Sequence, residues 1–511
     1  MKKYPVLIGV GQSIYPADDY SAAPSPLESM HQVTLKAAED ACLTPQQLEN
    51  LDAIGMMETI LWSPKNGPDL LAESLNIKRC KHISMRTGGQ TPVTLLNLFA
   101  RDIAEGRSEF ALLVGTNNLH TLNQSKADLN WPTGGSGAPE IIGLPNWGNS
   151  PLEAEYGMNE ATTVYPMIEN ALRAERGLSL STHIDAVANL MSPFTRIAAG
   201  NPYAWFPTER SAKEIATVSR ANRMITYPYT KYLNAVISTN QSAAVIICSI
   251  EKAIQLGVPE QQWVYWRGGD QAREKIWHFS DRASFTKCKA MGDAASNALS
   301  EAGCLTDNIS VFDFYSCFPS AIEMACKELG IAEDDPRDFT VTGGLPYAGG
   351  PGNNYALHSI AAMAQRVRSS QNTKEHTGLV TGNGWYMTKH AAAVLSSEPP
   401  IKPYKPASNG VQDKINTPAN TIPGEALATR PVNDKQSTIE TYTVTFHRDG
   451  TPARGIVVGH TSEGQRFVAN TPNDRDLLET FCETEQVGCV GKVSSEQSSS
   501  GIEKNLFEPN G

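Results

Sequence analysis

The residues best placed to do chemistry lie in two short segments. Asp313-Phe314-Tyr315-Ser316-Cys317-Phe318 closes an apolar run and precedes a helical pattern. Polar side chains at strand C-termini usually line the site in α/β folds, and here they include a thiol. Taken alone, a buried packing cysteine is the plainer reading of Cys317. The second segment, Gly343-Gly344-Leu345-Pro346-Tyr347-Ala348-Gly349-Gly350-Pro351-Gly352-Asn353-Asn354, feeds the start of a helix. A glycine-rich loop can approach a ligand closely, and its free N–H groups suit an anion or oxyanion. A tight connector is the plainer alternative.

The elements that must position these segments alternate. Strands are expected at Ile8–Gln12, Asp52–Glu58, Lys81–Met85 and Phe110–Gly115, with helices over Glu28–Cys42 and Thr91–Glu105. Residues 118–235 break the pattern: they are rich in Asn, Pro, Gly and aromatics, with helices near 151–176, 180–199 and 209–225. Ala243–Ile250 returns to a strand. A second alternating half follows, with helices over Lys287–Ala302, Pro319–Leu329 and Asn353–Val367. Its strands are Trp263–Arg267, Ser310–Tyr315, Gly378–Gly382 and Ala391–Ser396. Such alternation argues a mostly parallel sheet covered by helices. Leu112-Leu113-Val114-Gly115 and Leu379-Val380-Thr381-Gly382 occupy similar places in the two halves, a weak sign of duplication. Prolines and polar residues over 401–435 suit a linker. Short alternating strands at Ile439–Phe446, Gly455–Val458 and Arg466–Ala469, with a helix over Asn473–Cys482, make 436–511 a small β-barrel module.

Composition bounds the function. The 511 residues suit two to four domains, and 40% hydrophobic with 19% charged residues permits a sizeable core. The net charge of −11 argues against nucleic acid and anionic membrane as partners. No apolar run approaches the roughly 20 residues of a membrane span, and the N-terminal stretch is too short for a secretory signal. The nine cysteines are scattered, without CxxC spacing. Reduced thiols in the cytoplasm are the simplest account, and no metal site is expected.

Together the two segments resemble the thiolase superfamily, and most nearly its sterol-carrier-protein-linked branch. There a strand ends in His-Asp-Cys-Phe and a loop reads Gly-Gly-Leu, three residues, Gly-His-Pro. Here the strand ends Tyr315-Ser316-Cys317-Phe318, and Gly343-Gly344-Leu345 is followed at the same spacing by Gly349-Gly350-Pro351. Asn240-Gln241-Ser242-Ala243-Ala244-Val245 resembles the family's Asp-Gly-Ala-Ala-Ala segment. The resemblance covers about residues 4–398. Ile439-Glu440-Thr441-Tyr442-Thr443-Val444, Gly464–Asn470 and Asn505-Leu506-Phe507 look like the additional C-terminal domain of the thiolase-like protein type 1 group.

The resemblance implies an α/β fold: a duplicated, layered αβαβα core with a loop-rich insertion, plus a small C-terminal β-barrel. The halves are 1–250 (insertion 118–235) and 251–400, then linker 401–435 and barrel 436–511. It implies an acyltransferase of the acetyl-CoA acetyltransferase kind, in lipid metabolism, with a CoA thioester as substrate or ligand and no other cofactor. A dimer is left open. The catalytic positions carry other residues: Gln90 stands for the nucleophilic cysteine, Tyr315 and Gly350 for two histidines, and Gly382 lies where the second cysteine belongs. Candidate substitutes are Cys317, His358 and His390, with Lys389 beside the last. Helix packing is the plainer reading of His358, solvation that of His390. CoA contacts are expected at Gly349, Gly352, Asn353 and Gly384. The loops 88–91, 315–318, 349–353 and 382–385 should meet, and Trp131, Trp147 and Trp205 could shape an acyl or pantetheine tunnel. Two alternatives remain: a non-catalytic acyl-CoA-binding protein, and a scaffold using the barrel to bind partners.

Overall fold

The computed structural model describes residues 3–16, 20, 23–60, 62–125, 129–144, 148–370, 376–400, 404, 432–497 and 503–510. The expected linker 401–435 and Trp147 therefore lie largely or wholly outside the described residues.

The first half runs β1 (Pro5–Ile14), α1 (Pro26–Asp40), β2 (Ala53–Met57), α2 (Gly67–Ser74), β3 (Lys81–Met85), α3 (Thr91–Ala104) and β4 (Phe110–Asn118). The insertion adds α4 (Leu119–Gln124), β5 (Glu140–Ile142), α5 (Pro151–Glu155), α6 (Ala161–Glu175), α7 (Leu180–Gly200), α8 (Ala212–Ala216), β6 (Met224–Thr226) and β7 (Tyr229–Thr230). Then come β8 (Asn240–Ser249), α9 (Ile250–Leu256), β9 (Val264–Arg273), α10 (Lys289–Ala302), β10 (Val311–Asp313), α11 (Pro319–Leu329), α12 (Tyr355–Ser369), β11 (Thr377–Gly384) and β12 (Lys389–Ser396). The C-terminal domain has β13 (Asp434–Phe446), β14 (Pro452–His460), β15 (Arg466–Asn470), α13 (Arg475–Glu483), β16 (Val490–Gln497) and β17 (Glu503–Pro509).

Local signals explain many boundaries. α1 opens on a capping box in which Ser25 and Glu28 satisfy each other's backbone N–H, with Pro26 in its first turn. α10 and α11 end at Gly303 and Gly330, both left-handed. The helix expected over 151–176 is two helices, because the chain turns at Gly157 with φ +91. The helix expected over 209–225 shrinks to α8, since 224–230 is drawn into a hairpin that pairs with the barrel.

Ten strands form one sheet in the order β10-β11-β12-β9-β1-β8-β4-β2-β3-β5. The two halves join where β1 meets β9, Val6 opposite Tyr265. The sheet is mixed rather than mostly parallel: β1–β8, β4–β8, β9–β12 and β11–β12 are antiparallel. Strands buried on both faces are apolar throughout, so their sequences carry no sign of direction.

Five layers result. α1 covers β1, β8 and β4 on one outside, α10 covers β9 and β12 on the other, and α3 and α12 lie between the β1 arm and the β9 arm of the sheet. α3 is buried at every residue but Ala104, as a central helix must be. Its Leu95, Leu96 and Phe99 pack with Leu357 and Ile360 of α12 and Val245 and Val394-flanking Ala393 and Leu395 of the strands. Asn97 is satisfied inside this core, accepting from Trp266 Nε1 at 2.9 Å and donating to the Ala392 carbonyl at 3.0 Å.

The C-terminal strands close a five-stranded barrel, β13-β14-β15-β17-β16 and back to β13. It packs directly on the body. Thr441 Oγ1 donates to Met167 O at 2.5 Å, Asn170 Nδ2 to Tyr442 O at 3.0 Å and Thr443 Oγ1 to Tyr227 O at 2.6 Å, all buried. No helix among the described residues is long and apolar enough to cross a membrane.

Candidate functional site

The four loops meet at the N-terminus of α3. Gly88 N–H donates to Asn353 Oδ1 at 2.9 Å, and Asn353 Nδ2 donates to Glu58 O at 2.7 Å, which ties the first loop to the third. Gly89 is packed so closely that a Cβ there would stand 2.2 Å from the Tyr315 hydroxyl and 2.4 Å from Asn383 O. A Cβ on Gly382 would lie 2.6 Å from Gln90 Cα. The sequence reading of which loops converge therefore matches the geometry.

Gln90 occupies the N-cap of α3, where the macrodipole favours negative charge. It is 8% exposed, and its Oε1 is buried with no hydrogen-bond partner. Beside it is a cavity of about 40 Å³, whose walls include Gln90, Thr94, Arg86, Arg273, Lys389 and His390. β9 and β12 bring the last three there, because Lys389 pairs with Arg273 and His390 with Ala272 across the ladder. Arg86 is bound by Glu58 at 3.1 Å. Lys389 donates to Thr87 O at 2.7 Å, and burial holds its ammonium down to about 8. Arg273 Nη1 is buried without a partner, and desolvation lowers that guanidinium too. The walls thus carry more positive than negative charge, beside a glutamine whose Oε1 is an unpaired acceptor. Such a place can hold and polarise a carbonyl or carboxylate oxygen.

It offers no thiolate. Cys317 is buried, and its thiol is pushed up to about 12 by desolvation. Cys288 Sγ lies 3.2 Å from His390 Nε2, but burial raises that thiol well above its ordinary value and lowers His390 to about 3. The pair is neutral, and His390 is buried rather than solvated.

The other expected residues scatter. His358 is buried on α12, with Nδ1 2.8 Å from Gln12 Oε1, and burial lowers it to about 3. Tyr315 stays partly exposed among buried neighbours, its N–H bound to Thr381 Oγ1 at 2.9 Å. Gly350 N–H donates to Val236 O at 2.8 Å, and a Cβ there would face Val236 O and Leu345 at 3.3 and 3.4 Å. Gly349 abuts Gln241 and Trp205, and Gly352 abuts Ile60. Trp205 packs edge-on against His120, while Trp131 joins the outer core of the first half. Arg273 escaped the sequence reading, since only cross-strand register brings it to Lys389.

The layered core with paired central helices is the thiolase fold. Residues 422–498 match the model of the thiolase-like protein type 1 additional C-terminal domain. A monomeric SCP2-thiolase-like protein type 1 from Mycobacterium smegmatis is 31% identical, covering 99% of this chain and 100% of its own, with TM-score 0.81. The chain belongs to the SCP2-thiolase-like protein type 1 family. The acetyl-CoA acetyltransferase of Syntrophomonas wolfei shares the fold at 12% identity (TM-score 0.57, 77% of this chain and 99% of that one). So does the dimeric peroxisomal thiolase of Saccharomyces cerevisiae, at 13% identity (TM-score 0.55, 78% and 98%). No curated protein matches the chain in sequence.

Proposed function

We propose that this chain binds CoA thioesters at the junction of its four loops and forms no acyl-enzyme. The observation that carries the reading is the N-terminus of α3. There Gln90, Lys389 and Arg273 surround a small cavity with donors and positive charge, and an amide stands at the family's nucleophile position. A thioester carbonyl is an acceptor of the size such a cavity takes, and helix N–H groups with an ammonium polarise it. Covalent acyl transfer requires a thiolate, and the described thiols near the junction are held protonated. Titration calorimetry with acetyl-CoA and a longer acyl-CoA tests the proposal. Saturable heat with either supports it. No heat and no thermal stabilisation at millimolar ligand would remove it while leaving the fold untouched.

A further inference from the structure

A second cluster of ionisable groups lies apart from the loop junction, where α6 and α7 of the insertion cross α11. Glu169 and His183 come from the consecutive helices α6 and α7, Glu323 from the distant α11, and all are buried. One donor atom of each lies within 4.8 Å of the others. His183 Nε2 is 2.5 Å from Glu169 Oε1. Glu323 Oε1 receives Arg176 Nη1 at 3.0 Å, while its Oε2 is buried without a hydrogen-bond partner. Arg176 is shared with Glu333. The carboxylates of Glu169 and Glu323 are close neighbours, and like charges buried together need a proton or a cation between them.

We propose that Glu169, His183 and Glu323 form a site for one divalent transition-metal ion, with Zn²⁺ the best match to the donors. One imidazole and two carboxylates suit Zn²⁺ better than the all-oxygen preference of Mg²⁺ or Ca²⁺. Donors bound at about 2.0–2.2 Å from one ion stand about 3–4 Å from each other; the three donor atoms lie within 4.8 Å of one another, and the His183–Glu169 hydrogen bond opens to admit the ion. The outer groups that orient such ligands are present. Tyr229 donates to Glu169 Oε2 and lies 2.9 Å from Ser320 Oγ, and Arg176 holds Glu323. Glu333, the outer partner of Arg176, lines a cavity of about 420 Å³. Binding needs the Nε2 lone pair, so the imidazole proton moves to Nδ1, which now has no partner. The proton held between the two carboxyl groups leaves to solvent, about one per ion.

The test uses the full chain. Calorimetry with ZnCl₂ in buffers of different ionisation enthalpy should give about one site per chain with proton release, and metal analysis after dialysis should give the same stoichiometry. H183Q and E323Q should lose that site while keeping the wild-type circular dichroism spectrum. Because either variant could fail to fold, X-ray absorption at the zinc edge of the wild-type protein gives an independent reading. Nitrogen and oxygen donors without sulfur support the site. Sulfur donors, retention of the zinc by folded H183Q, or no zinc bound at all would overturn it, the last leaving a proton-bridged carboxyl pair.

Discussion

Gly384 faces Gln90 so closely that a Cβ added to the glycine would stand 2.0 Å from the glutamine Oε1. The glutamine and the absent side chain share one space. The contact is with the end of a flexible side chain, so Gly384→Ala should cost only about 1–2 kcal/mol. Gln90→Ala should relieve it. A double-mutant cycle in urea should show a coupling of about 1 kcal/mol between the positions, and strict additivity would show that they do not compete.

Gly382 is the control. Its Cβ would meet the Gln90 backbone at 2.6 Å, where nothing can swing aside. Gly382→Ala should destabilise by more than Gly384→Ala, about 3 kcal/mol, and Gln90→Ala should not rescue it. Thermal unfolding of the three variants decides the order.

Lys389 should make stability depend on pH. The folded chain gives up this proton near pH 8, because burial disfavours the ammonium. An unfolded chain holds it to about 10.4. Between those values the unfolded state binds more protons, so the unfolding free energy rises with pH by about 3 kcal/mol from this group. Lys389→Met should lack that rise. Urea unfolding at pH 7.5 and 10 should show wild type gaining on the variant, and a constant gap would place Lys389 at its ordinary value.

The barrel should not behave as a loose appendage. Arg173 of α6 is buried, donates to Leu178 O at 3.0 Å and grips Glu485 with both terminal nitrogens, one at 2.6 Å. Arg173→Ala should lower the stability of the whole chain by about 2 kcal/mol. Calorimetry should still show body and barrel unfolding together. A separate early transition in wild type would contradict this.

The sequence reveals local regularity well. β3 and α11 are legible to the residue, because Lys81–Met85 and Pro319–Leu329 are bounded by turns and by Pro319 and Gly330. The spacing of Cys317, Gly343–Gly352 and Gln90 locates the junction. What it cannot carry is cross-chain register. Arg273 joins Lys389 only through an antiparallel ladder, and strand direction is invisible in apolar runs. Glu169, His183 and Glu323 lie on three helices, and nothing in their spacing announces a cluster. β16 and β17 show no clear strand pattern in the sequence because their alternation is weak and polar, yet they close the barrel.

One measurement reaches the central claim directly: equilibrium dialysis of the full chain against radiolabelled acetyl-CoA, followed by denaturation and counting of the protein. The account expects label bound to the native chain and none retained after denaturation. Label that survives denaturation would mean an acyl-enzyme, and absence of label on the native chain would mean that the junction does not hold a CoA thioester.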